Sequence, residues 1–272
     1  MALGLRDIFT HIVGVSHNPN HVMETLNLGI VDEFLPFEHA ISNAHTIIVA
    51  IPVDATIRLL PRVLDMASEQ AVVLDVGSTK GTICNSIRKH ARRLQFVATH
   101  PMAGGEAAGP MAANLHLFRN RRVIICDREQ SSSEALSTVK SIYETLGMKI
   151  MYMSAQEHDA NVALISHLPQ VLSYCLAALD TYDEPECKQA LELAASGYDS
   201  TTRLAASPAK MWLPIFDHNK ENIANAIDSI ISTLDTFKKL LSTDSQEEIK
   251  RLIEKANERR KEFLGIYGGM RT

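Results

Sequence analysis

AVVLDVGSTKG, residues 71–81, is the stretch on which the fold turns. Residues 71–78 are a short apolar run ending in the small-residue turn Gly77-Ser78-Thr79-Lys80-Gly81. A continuous apolar run of this length, closed by glycine, reads as a strand buried on both faces that hands over to a helix. Such a turn brings a hydroxyl and backbone N–H groups to a helix N-terminus, where ligands bind. On either side the same grammar repeats. Strands are expected at HIVGVS (11–16), TIIVAIP (46–52), QFVATHP (95–101), RVIICD (122–127) and KIMYMS (149–154). Helical patterns fall between them, including DATIRLLPRVLDMA (54–67) and SSEALSTVKSIYETLG (132–147). Alternation of this kind predicts a doubly wound, parallel α/β sheet.

Beyond Ser154 the strand signal stops. Apolar-periodic segments follow at 155–182, 185–196, 209–242 and 244–264, so the chain reads as α/β followed by all-α. The implied domains are 1–153, nucleotide-binding, and 154–272, helical. In the third segment Ile223, Ala226, Ile227, Ile230, Ile231, Leu234 and Phe237 make a broad apolar stripe, wider than a small helical domain needs for itself. A homodimer interface is the favoured reading and an intramolecular bundle core the competing one.

With 272 residues, 46% of them hydrophobic, the chain is long and apolar enough for a sizeable core. A formal net charge of -5 without a basic block argues against nucleic acid and leaves small molecules as the expected partners. Cys84, Cys126, Cys175 and Cys187 are scattered, with no secretory segment ahead of them, which fits reduced thiols and a cytoplasmic location. No apolar run is read as approaching the roughly 20 residues of a membrane span.

Function in such sheets gathers at the carboxyl ends of the strands. Three ends are chemically loaded: Ile51-Pro52-Val53, the turn that carries Ser78, and Thr99-His100-Pro101-Met102-Ala103-Gly104-Gly105-Glu106. His100, at a strand end before a Gly-rich loop, suits a proton acceptor for a substrate hydroxyl as hydride leaves the carbinol carbon. The helical half adds Glu157-His158-Asp159, Ser166-His167-Leu168-Pro169-Gln170 and Ser200-Thr201-Thr202-Arg203. Pro169 frees the Ile165 carbonyl and predicts a kink, with His167 and Gln170 on one face. Arg203 offers a bidentate fork for a carboxylate. No H-x-x-x-H or carboxylate spacing supports a metal site.

Together D-V-G-S-T-K-G (75–81), H-P-M-A-G-G-E (100–106), S-H-L-P (166–169) and T-T-R-L-A-A-S-P-A-K-M-W (201–212) resemble the prephenate dehydrogenases, including the related arogenate and dual-specificity enzymes. The resemblance implies oxidative decarboxylation of prephenate or arogenate in tyrosine biosynthesis, with hydride passing to NAD or NADP. It implies His100 as the base at the ring hydroxyl, Ser78 supporting His100 and the nicotinamide, Arg203 on a substrate carboxylate, and His158 and His167 lining the pocket. It also implies a dimer through the helical domain.

The chain departs from that family in three places. Gln170 stands where many relatives have a second histidine, and this leaves the choice between prephenate and arogenate open. Gly105 stands where relatives often carry a hydroxyl. No G-x-G-x-x-G turn occurs anywhere, and Met1–Asp7 reads as the family's first helix already under way, so the first strand and its phosphate loop are expected to be missing. One explanation is a native start about 15–20 residues earlier; the other is a shortened chain that binds nucleotide weakly. At the first strand's end an acidic residue would favour NAD, but Ser16-His17-Asn18 stands there, which repels no phosphate. Two further readings compete: a β-hydroxy-acid dehydrogenase, disfavoured because His167 and Arg203 stand where those enzymes use lysine, and a non-catalytic binding module.

Overall fold

A computed structural model describes residues 1–104, 109–184, 187 and 189–268. They form two compact units, Met1–Lys220 and Glu221–Thr272. The expected order, α/β first and helices after, holds.

Among the described residues the first unit contains seven strands: β1 (Val13–Gly14), β2 (Glu33–Phe34), β3 (Thr46–Val49), β4 (Val72–Asp75), β5 (Phe96–Pro101), β6 (Arg122–Cys126) and β7 (Lys149–Met153). Helices α1 (Pro19–Asn27), α2 (Phe37–Asn43), α3 (Val53–Met66), α4 (Gly81–Ser86) and α5 (Ser133–Thr145) alternate with them. Strands β3 to β7 lie side by side in chain order, while β1 and β2 form a separate parallel pair. Burial follows the pleat. In β4, Val73 packs with Leu60, Leu64 and Ile83 from α3 and α4, whereas Val72 and Leu74 join Val139, Ile142 and Tyr143 of α5. Helices therefore cover both faces, which is why the strands read as unbroken apolar runs.

The parallel arrangement holds through β3, β4 and β5, and then changes. β6 runs antiparallel to β5, and β7 is parallel to β6. A parallel return needs a crossover of a dozen or more residues, usually helical. The described part of the β5–β6 connection holds only the 3-10 turn Pro110–Ala112, so the chain reverses instead.

Within the first unit the helical region continues with α6 (Ala155–Val162), a π-helical turn (Ala163–His167), α7 (Leu168–Ala177), α8 (Ser196–Thr202) and α9 (Ala209–His218). Asp127, at left-handed φ 47°, accepts the Ala155 N–H at 2.8 Å and so anchors α6 to the end of β6. Three expectations change here. Residues 155–183 form one helical run that is long and apolar enough to cross a membrane, contrary to the sequence reading. The run, however, holds the buried polar side chains His158, Asp159, His167 and Gln170. The described residues from 187 to 195 form no α-helix, and helix resumes only at Ser196. The single helix expected at 209–242 is broken at Asn219, whose φ of -133° is not helical.

The second unit is helical, comprising α10 (Lys220–Ser242) from Glu221 onward and α11 (Gln246–Gly268). Along the predicted stripe Ile223 and Ala226 are buried, and Ile231 and Leu234 are exposed.

Candidate active site

The sheet register lines up the loaded strand ends. Val49 pairs with Asp75, and Asp75 with Ala98. Two or three residues beyond that row stand Ile51 and Pro52 after β3, Ser78 after β4 and His100 on β5. Ile51 and Pro52 are exposed; Ser78 and His100 are half-buried.

Beneath them lies an ion pair that sequence reasoning missed. Lys80 and Asp75 are fully buried, and the Lys80 Nζ donates to Asp75 Oδ2 and to the Thr99 carbonyl at 2.8 Å. Asp75 Oδ2 also accepts the Gly77 N–H at 2.9 Å. A Cβ on Gly77 would stand 2.9 Å from that oxygen, so glycine is what lets the turn close over it. Each charge is met by its partner and by backbone, as a buried pair requires. The result is a clamp joining the ends of β4 and β5, with Thr99 Oγ1 in turn bonded to Asp75 O and the Tyr143 hydroxyl.

His100 meets the helical region through its ring. Its Nδ1 lies 2.8 Å from His158 Nε2, and His158 Nδ1 lies 2.8 Å from Asp159 Oδ1. The same carboxylate accepts the N–H groups of Lys80 and Gly81, each at 2.7 Å. This corrects one expectation: the first N–H groups of α4 are occupied by Asp159 rather than offered to a ligand. His158 is fully buried with both ring nitrogens engaged, so it stands behind His100 and not at a pocket wall. Burial, and then the nearness of His158, Lys80 and His167, holds the His100 imidazole well below its usual titration range. The ring is neutral at neutral pH, and Nε2 is the nitrogen left for a substrate.

His167 closes the π-helical turn. Pro169 lacks an N–H and crowds the carbonyl four residues back, and the chain answers with a widened turn in which Leu168 N–H bonds to Ala163 O. The wider turn takes the place of the simple kink that was expected. His167 is buried, its titration lowered to about 4 chiefly by burial. Its Nδ1 lies 3.1 Å from Asn219 Nδ2, which also donates to the Asp159 carbonyl at 2.8 Å, and Trp212 packs edge-on at 5.8 Å. Asn219 escaped the sequence reading because a helix break carries no spacing signal, and Trp212, the last residue of the 201–212 motif, was given no role there.

Gln170 shares the buried side of this run, but its amide donates to the Leu204 carbonyl at 2.7 Å. It thereby holds the 3-10 turn Arg203–Ala206, on which Arg203 is exposed. Glu157 belongs to a capping box with Ser154 and holds the N-terminus of α6. Ser16 and His17 are exposed between β1 and α1, where Ser16 Oγ accepts the Asn18 N–H at 3.2 Å. Gly105 lies outside the described residues.

Ile51, Pro52, Ser78 and His100 stand at the ends of adjacent strands, the edge at which the sequence led a nicotinamide to be expected. The hydroxyls of Thr79 and Thr82, on either side of Lys80 and Gly81, are buried without a hydrogen-bond partner. The glycine-rich pyrophosphate turn is not among the 272 residues.

Two family models cover the chain: "Prephenate dehydrogenase, nucleotide-binding domain" over residues 1–152 and "Prephenate dehydrogenase, dimerization domain" over 154–255. Prephenate dehydrogenase of Bacillus subtilis (strain 168) is 29% identical over 252 residues, 92% of this chain and 68% of the relative. Cyclohexadienyl dehydrogenase of Zymomonas mobilis is 27% identical over 89% of this chain and 81% of the relative. Among solved structures, prephenate dehydrogenase from A. aeolicus in complex with hydroxyphenyl propionate and NAD+ superimposes with a TM-score of 0.86 at 27% identity, covering 96% of this chain and 93% of that one. Synechocystis arogenate dehydrogenase does so with a TM-score of 0.79 at 26% identity, covering 96% and 95%.

Proposed function

We propose, from the premise that this chain belongs to the prephenate dehydrogenase family, that it oxidatively decarboxylates prephenate or arogenate with NAD, His100 accepting the proton of the ring hydroxyl. The observation that carries this reading is the neutral His100 imidazole at the end of β5, its Nδ1 engaged by His158 and its Nε2 left over.

The bound dinucleotide supplies the hydride acceptor. His100 Nε2 takes up the hydroxyl proton as the ring carbon that bears it loses hydride and the C–O bond gains carbonyl character. The bond to the ring carboxylate then breaks, carbon dioxide leaves, and its electron pair completes the aromatic ring. His100 returns the proton to the phenolic oxygen, so the protein ends unchanged and no net proton is released. Because the ring is neutral at neutral pH, its lone pair is available there without prior deprotonation. Arg203 anchors a substrate carboxylate, and Ser78 supports His100 and the nicotinamide. His167, through the nitrogen that Asn219 does not occupy, and Gln170, through the Arg203 turn, shape the same pocket.

The NAD+ complex of the A. aeolicus neighbour supports NAD as the acceptor. Ser16 and His17 offer no carboxylate to repel the extra phosphate of NADP. Discrimination between the two is therefore weak. The match to a dimerization domain and the exposed Ile231 and Leu234 support a homodimer through the helical region.

Steady-state assays with prephenate and arogenate against both dinucleotides test the reading. Turnover of at least one substrate is expected, with kcat/KM for NAD and NADP within about tenfold, a gap of roughly 1.4 kcal/mol. Reduced dinucleotide from neither substrate would refute the proposal.

A further inference from the structure

The contacts of Asp159 bear on which nitrogen of His100 carries the proton. Asp159 Oδ1 receives the Lys80 N–H at 2.7 Å and faces His158 Nδ1 at 2.8 Å, while Oδ2 receives the Gly81 N–H at 2.7 Å. A carboxylate only accepts, so His158 Nδ1 bears a hydrogen and donates. If His158 carries that hydrogen alone, its Nε2 is a lone pair. That lone pair lies 2.8 Å from His100 Nδ1, so His100 Nδ1 is the donor and His100 Nε2 the bare acceptor. We infer that Asp159 and His158 are positioning residues that fix His100 in the tautomer whose free lone pair faces the substrate hydroxyl.

The seating of Asp159 is built for this task. A Cβ on Gly81 would stand 2.9 Å from Asp159 Oδ2, so glycine is what admits the carboxylate to the start of α4. Asn219 Nδ2 holds the Asp159 backbone carbonyl at 2.8 Å. The loop bearing Ser78 and the histidine chain are thus tied to one carboxylate, and fixing a tautomer through such a second partner is how paired carboxylate and imidazole groups act. The inference rests on His100 as proton acceptor in the proposed reaction, but the tautomer itself is observable without any turnover.

The test is nitrogen-15 NMR of the full chain labelled at histidine, near neutral pH, with His100 assigned by comparison with His100→Asn. A hydrogen on His100 Nδ1 and none on Nε2 is expected. A hydrogen on Nε2, or His158 protonated at both nitrogens, would overturn the inference whether or not the protein turns over prephenate. Two variants give the kinetic arm. His158→Gln keeps an amide oxygen able to accept from His100 Nδ1, whereas His158→Leu does not. Relative to the native chain, kcat should fall by about 10²-fold in His158→Leu with KM changed less than about threefold, and by less than about tenfold in His158→Gln. Equal losses in the two variants would contradict the positioning role. Absence of activity in the native chain, with the expected tautomer present, would count against the reaction and leave the positioning standing.

Discussion

At the scale of single residues, two side chains with unlike surroundings give separable outcomes. His167 titrates near 4 in the folded chain against 6.5 for an ordinary histidine. Above pH 6.5 neither state is protonated and this group contributes nothing to pH dependence. As pH falls from 6.5 toward 4, the unfolded chain takes up a proton that the folded chain refuses, so stability drops by an amount on the order of 3 kcal/mol. Urea unfolding of the native chain and of His167→Gln at about pH 7 and about pH 4.5 should show a smaller loss in the variant; equal losses would mean that His167 is not held neutral. Arg203, exposed on its 3-10 turn, should behave as an anchor: Arg203→Ala is expected to raise KM for the carboxylated substrate more than it lowers kcat. A fall confined to kcat would make it a transition-state group instead. His100 was legible because a histidine at a strand end before Gly104 and Gly105 suits no core. Asp159 was named only within the run Glu157-His158-Asp159, and its role was not legible because nothing local marks its bonds to the start of α4. Its partners Lys80 and Gly81 lie 79 and 78 residues away.

At the scale of elements, periodicity carried the strands well and failed where tertiary contacts override local pattern. The core-facing runs at 46–52, 71–78 and 95–101 were legible because covering both sheet faces demands unbroken apolar residues. The direction of β6 was not, since an apolar strand reads alike in either sense and only its connection decides. Pro169 announced a disturbance near Ile165, but not that the chain would absorb it as a π-helical turn ending on His167. Residues 209–242 read as one helix because apolar spacing runs through Asn219 without a pause. The break is visible only once Asn219 is seen bonded to the Asp159 carbonyl. These last two irregularities place a histidine and an amide in the site, and regular helix at either position would turn the side chain elsewhere.

For the molecule as a whole, the ends of β3, β4 and β5 bring Ile51, Ser78 and His100 onto adjacent strands, and α6 supplies the His158–Asp159 pair behind His100. A hydride acceptor and a hydroxyl-bearing ring meeting at His100 would use nearly every polar feature of that edge. Domain order was legible from the change of period at Ser154, and the pairing of β1 with β2 apart from the main sheet was not. The proposed reaction stands on His100 as the group that receives the hydroxyl proton. Its most direct test is the rate of NADH formation from the active substrate under single-turnover conditions, native chain against His100→Asn. Asparagine keeps a similar shape but cannot take up a proton, so the rate should fall by about 10²–10⁴-fold while substrate affinity changes little. A fall of less than tenfold would contradict the assignment.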